Sequence, residues 1–131
     1  MSKYEKGARR ERELLSEISE YGYVGLRAPS SGSTTDRELP DVLAGKEGTS
    51  IAIEVKTSSK DVIYVDKTEI EDLQMFSGAF GAEYYLGVKF DYVDWMFFKK
   101  DELKQTEKSY KIEKNLSNEQ VRTIEDVCKK Q

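Results

Sequence analysis

The sequence predicts an α/β fold, a mixed central β-sheet flanked by helices, as a single domain over residues 1–131. Apolar residues recur at helical spacing near both ends of the chain and over residues 69–80, and alternating or continuous apolar runs lie between them. No internal repeat, low-complexity tract or Pro/Gly-rich linker interrupts the 131 residues, a length that suits one core.

Each element follows from its local pattern. Residues 4–21 set Tyr4, Ala8, Leu14, Leu15, Ile18 and Tyr21 near one stripe, which reads as a helix. A short strand over 23–28 stops at Pro29, and residues 30–39 form a polar loop. Residues 41–45 and 50–57 make a hairpin turned by Lys46-Glu47-Gly48-Thr49. A strand over 63–65 leads to Asp66 and Glu69, a capping box that opens a helix with Ile70, Leu73, Phe76 and Phe80 inward and Gly81 at its end. Two strands follow over 83–90 and 93–98, then a short one over 110–113. Ser117 and Gln120 are read as the cap of a last helix bearing Val121, Ile124 and Val127.

Composition removes several chemistries. The chain has no histidine and one cysteine. A Ser-His-Asp triad, a Cys-His dyad, an HExxH zinc site and an internal disulfide are therefore excluded. Cys128 reads as a packing residue of the last helix. Catalysis is left to carboxylates, lysine, hydroxyls or a metal held by oxygen, which favours hard cations such as Mg²⁺ or Mn²⁺. No apolar run reaches membrane-spanning length and residues 1–12 lack a signal-peptide core, so a soluble cytoplasmic protein without a membrane partner is expected. Net charge is −4, yet Lys3, Lys6, Arg9, Arg10 and Arg12 outweigh Glu5 and Glu11 at the start of the chain. That basic edge suits phosphate binding or a solvated helix start equally well.

The hairpin holds acids where apolar residues would be expected. In the strand Ile51-Ala52-Ile53-Glu54-Val55-Lys56, Glu54 and Lys56 share a face about 7 Å apart, while Ile51, Ile53 and Val55 face the core. Closing the hairpin at Glu47-Gly48 sets Lys46 opposite Thr49, Ala44 opposite Ile51 and Asp41 opposite Glu54. Neighbouring carboxylates destabilise a sheet and raise each other's pKa. A divalent cation between them removes the conflict. Glu11 falls on the inner stripe of the first helix, where an acid needs a partner: a salt bridge, for instance to Arg27, or a metal or water.

Pro40-Asp41 followed by Glu54-Val55-Lys56 resembles the PD-(D/E)xK nuclease superfamily, and more narrowly the archaeal Holliday junction resolvases. Lys6-Gly7, Glu11-Arg12, Arg27-Ala28-Pro29, Ser31-Gly32-Ser33, Phe80-Gly81-Ala82 and Leu86-Gly87-Val88-Lys89 extend the likeness over nearly the whole chain. The resemblance implies a restriction-endonuclease-like fold and an Mg²⁺-dependent endonuclease, with Mn²⁺ substituting. It also implies a homodimer that cuts two opposed strands of a four-way DNA junction in recombination and repair. Asp41, Glu54 and the Val55 carbonyl would ligate the metal, with Glu11 the helix acid beside it. Lys56 would act on the attacking water and the phosphate, and Ser31 would be an additional catalytic hydroxyl. Lys3, Lys6, Arg9, Arg10, Arg12, Arg27, Ser31 and Arg37 would contact DNA; the Ser31 loop carries only Arg37, between Asp36 and Glu38, so affinity would lean on the N-terminal cations. Another nuclease of the superfamily, acting on flaps, ends or duplexes, and a DNA-binding module with a lapsed site remain alternatives. Val93-Asp94-Trp95-Met96-Phe97-Phe98 would be apolar on both faces, so both need cover, from flanking helices of the same chain or from a partner; the resemblance favours a symmetric dimer in which these aromatics, with Met75, Phe76 and Phe80, supply part of the interface.

Overall fold

The computed structural model describes residues 3–29 and 37–129, with side chains from Glu5 onward. Among these the chain runs α1 (Lys3–Ser19), β1 (Val24–Arg27), β2 (Val42–Lys46), β3 (Thr49–Ser58), β4 (Val62–Asp66), α2 (Lys67–Phe80), β5 (Glu83–Phe90), β6 (Met96–Phe98), β7 (Lys104–Gln105), β8 (Ser109–Glu113) and α3 (Ile124–Lys129). A five-stranded sheet has the order β1-β2-β3-β5-β6, and β4-β8-β7 form a separate three-stranded sheet. The mixed sheet flanked by helices is the expected one; the second sheet is an addition the sequence reading did not separate.

The hairpin closes as its residues dictate. Glu47 and Gly48 both take positive φ, 46° and 85°, as a two-residue turn matched to strand twist requires. Lys46 then pairs with Thr49, Ala44 with Ile51 and Val42 with Ile53. The chain next crosses through β4 and α2, so that β5 returns parallel to β3 with Glu54 beside Leu86 and Ser58 beside Phe90. Parallel strands need such a crossover and are buried on both faces. Gly87 lets this happen tightly: a Cβ there would stand 2.9 Å from Ile53 Cγ2.

Apolar side chains gather on both sides of the sheet. One cluster joins Leu14 and Ile18 of α1 to Val42, Ile51, Ile53, Tyr85, Trp95, Phe97, Val127 and Cys128; the other joins Ile70, Leu86, Val88, Phe90, Met96, Phe98 and Ile112. Cys128 is thus a packing residue, its thiol pushed up to about 11 by burial.

Four expectations need correction. The strand read over 93–98 is only Met96–Phe98, because Val93 N–H bonds back to the Phe90 carbonyl in a turn. Trp95, Met96, Phe97 and Phe98 alternate between the two clusters and are 1–5% exposed, so this chain itself covers both faces and they form no dimer surface. Phe80 points outward, 56% exposed; Ser77 takes the inner position after Ile70 and Leu73. The last helix opens at Thr123, whose N–H and hydroxyl bond the Asp126 carboxylate, whereas residues 114–118 form a 3₁₀ turn. Ser117 and Gln120 cap nothing there.

Candidate active site

The hairpin register carries one step beyond its ladder and brings Asp41 against Glu54. Asp41 is fixed from both sides: Ala28 N–H donates to its carbonyl at 2.9 Å, and Val55 N–H donates to Oδ2 at 2.8 Å. Glu54 lies on the buried strand β3 and is 8% exposed. Lys56, two residues along the same face, places Nζ 4.0 Å from Glu54 Oε2.

Helix α2 closes this face. Its capping box directs Glu69 Oε2 onto Asp66 N–H at 3.0 Å, leaving Oε1 to accept a hydrogen bond from Lys56. Carboxylate oxygens of Glu38, Glu54 and Glu69 all lie within 4.8 Å of one another. Glu69 and Glu38 were missed as site residues. A long-range crossover makes both neighbours of Glu54, and the local sequence shows only a helix cap and a loop charge.

The electrostatics are those of a crowded anionic site. Burial, then repulsion from Asp41, Glu69 and Glu38, pushes Glu54 up to about 9, with Lys56 opposing. Burial and the charge of Glu11 push Asp41 up to about 6, against the Val55 N–H, Lys56 and a hydrogen bond with Glu54. The pair therefore retains a proton at neutral pH when no cation is bound. Burial alone would lower Lys56, but Glu69, Glu54 and Asp41 more than offset it and hold the ammonium protonated.

The other expected residues are placed as follows. Glu11 accepts a hydrogen bond from Arg27 Nε at 2.9 Å, the salt bridge weighed from its position, and its charge still reaches Asp41. Lys6 and Arg10 pair with Asp91 at 3.3 and 3.2 Å, Arg9 with Glu13 at 3.5 Å, and Arg37 with Asp72 at 3.5 Å. Arg12 is exposed and makes no ion pair among the described residues. The Lys3 side chain and Ser31 lie outside the described residues.

The chain matches the family model of the archaeal Holliday junction resolvases, Hjc, over residues 2–131. It belongs to that resolvase family. The crossover junction endodeoxyribonuclease Hjc of Archaeoglobus fulgidus is 38% identical over 111 residues, covering 85% of this chain and 81% of the relative. That of Sulfolobus acidocaldarius is 39% identical over 108 residues, covering 82% and 75%. The solved structure of Archaeoglobus fulgidus Hjc, described as a Holliday junction resolvase from an archaeal hyperthermophile, superposes with a TM-score of 0.81 at 34% identity, covering 93% of this chain and 99% of the other. No helix among the described residues is long and apolar enough to cross a membrane.

The donor set of this resolvase-family chain fits a hard divalent cation. Asp41, Glu38 and Glu69 all turn carboxylates toward Glu54, Lys56 offsets only part of their charge, and a divalent cation would relieve the repulsion that remains. A stability prediction follows from the sign of the shifts. Unfolded carboxyls ionise in their ordinary range, whereas folded Asp41 and Glu54 keep protons up to about 6 and about 9. The folded state binds more protons between the ordinary range and those values, so stability falls as pH rises through the window. In chelator, the unfolding midpoint should drop from pH 5 to pH 9, and Mg²⁺ should restore it most at the alkaline end. A metal-free midpoint that rises over this window contradicts the assignment.

Proposed function

We propose that the chain is an Mg²⁺-dependent endonuclease that resolves four-way DNA junctions as a homodimer, by paired phosphodiester hydrolysis. The observation that carries this reading is buried Glu54 against Asp41, with protonated Lys56 beside it, in a chain of the resolvase family.

Asp41, Glu54 and the Val55 carbonyl would hold the cation, with Glu69 and Glu38 adding negative charge and Glu11 acting from α1. Bound there, the cation supplies a nucleophile near neutral pH and offsets charge on the phosphate. Glu69, Glu54 and Asp41 hold Lys56 protonated, which suits it to act as a cation and not as a base. Its ammonium would stabilise negative charge on phosphate oxygens as the phosphorus becomes five-coordinate. Ser31, which falls between β1 and β2 in the sequence and outside the described residues, is proposed to add a hydroxyl to the same centre.

Backbone phosphates are the natural partners of Lys3, Lys6, Arg9, Arg10, Arg12, Arg27 and Arg37. Lys6, Arg9, Arg10, Arg27 and Arg37 already hold carboxylates of their own chain; binding exchanges the pairs of Arg9, Arg27 and Arg37 for phosphates, whereas Lys6 and Arg10 keep Asp91 and meet a phosphate through their remaining N–H donors. Arg12, which makes no ion pair among the described residues, has none to exchange there.

A dimer surface is offered on the Glu54 side of the sheet. There α2 exposes Met75 and Phe80, 53% and 56%, with Phe76 and Phe80 stacked at 5.2 Å. Register places Leu26 opposite Leu43, and Leu43 opposite Ala52, so Val24 and Leu26 share that side; they are 81% and 55% exposed. A two-fold axis through such a self-complementary apolar patch gives two active sites per junction. Cleavage of a four-way junction, its component duplexes and a flapped duplex should be compared in Mg²⁺. Preferential junction cutting supports the reading, and equal cutting of plain duplex contradicts it.

A further inference from the structure

The turn joining β5 to β6 is braced more heavily than a connecting turn requires. Asp91 N–H bonds the Ser58 carbonyl at 3.2 Å and Val93 N–H bonds the Phe90 carbonyl at 3.3 Å. The Lys89 ammonium donates to the Phe90 carbonyl at 3.3 Å and also to the Val93 carbonyl. From α1, Lys6 and Arg10 both grip the Asp91 carboxylate. Phe90 and Val93 pack into the core.

At the apex of this turn Tyr92 is 100% exposed, with its backbone at φ 66°. A bulky side chain rarely adopts that conformation unless its surroundings impose it. The braces thus fix the backbone from which the Tyr92 side chain projects into water.

Its position relates it to the active site. β3 and β5 run parallel, with Ser58 beside Phe90, so the turn lies past the same sheet end that Glu54 and Lys56 approach. From Glu54 to Ser58 is about 13 Å along the strand, roughly four base steps of one DNA strand. Lys6, Arg10 and Lys89 line the turn and suit the phosphates of that strand. An aromatic face stacks on any base, and stacking is easiest on a base already freed from its neighbours, as at a branch point.

We propose that Tyr92 is a stacking platform for an unstacked base at the branch point of the DNA, and that it contributes selection of junction over duplex. This rests on the junction-cleaving function proposed above. The ring supplies the contact, so Tyr92→Phe should behave as wild type. Tyr92→Asn removes the ring while suiting the left-handed backbone, which keeps the turn intact.

The test is binding of a four-way junction carrying 2-aminopurine beside the branch, and of a duplex arm alone, with cleavage measured on the same samples. Tyr92→Asn should weaken junction binding about 5- to 150-fold, leave duplex binding unchanged and abolish the wild-type 2-aminopurine response. An Asn variant with wild-type junction affinity and response overturns the proposal. So does a parallel loss of duplex binding, or equal impairment in the Phe variant. If wild type neither binds nor cuts the junction, the function fails as well; if it cuts normally and only the Asn result is negative, this inference alone fails.

Discussion

Asp41→Asn and Glu54→Gln should each reduce junction cleavage on the order of 10³-fold or more, since the cation they would hold contributes several kcal/mol to phosphoryl chemistry. Junction binding should stay close to wild type, because neither carboxylate is expected to contact DNA except through the cation. The same substitutions should leave the metal-free protein at least as stable. Glu54 is buried and, pushed up to about 9, keeps its proton at neutral pH, so an isosteric amide replaces a neutral acid at little cost there and removes a strained charge only at the alkaline end. Lost activity with retained or raised stability separates a catalytic role from a packing one. The check is parallel measurement of single-turnover cleavage, junction affinity and unfolding midpoint in chelator. A fully active Glu54→Gln protein would falsify the site.

Replacing Phe76 and Phe80 together by Glu should turn a dimer of twice 15.0 kDa into a monomer. Burial of an aromatic side chain contributes about 1.5–3 kcal/mol, and two-fold symmetry counts each ring twice. Even half-buried rings then weaken association by on the order of 10³-fold. Light scattering reads the mass directly. The fold should survive, because Phe80 is already more exposed than buried and Ile70, Leu73 and Ser77 hold α2 to the sheet. Cutting should change from paired incisions to single nicks. A variant that stays dimeric places the interface elsewhere.

The parts of this molecule legible in its sequence are those fixed by short-range rules. Glu47-Gly48 closes a two-residue hairpin, and period-two alternation then fixes which residues oppose each other, so Asp41 and Glu54 follow from counting. Asp66 with Glu69, and Gly81 at φ 88°, mark both ends of α2 for the same reason. What escaped depends on contacts between distant segments. Glu69 reads as a cap and is one, yet its second oxygen holds Lys56 only because the crossover lays α2 over β3. Helical spacing grouped Phe76 and Phe80 with Ile70 and Leu73, but spacing alone does not show that Ser77 takes the inner position. The N-terminal cations look free in a linear reading, whereas Asp91, 85 residues from Lys6 and 81 from Arg10, binds both of these. The aromatics of β6 could be covered from within or by a partner, and only the packing of both clusters decides for the former.

Strand-resolved mapping of cuts on a fixed four-way junction in Mg²⁺ tests the central claim most directly. The wild-type protein should incise two opposed strands at symmetry-related positions near the branch within one binding event, with no cutting in chelator. Incisions confined to one strand, cuts spread through the arms, or cutting that persists without a divalent cation would contradict it.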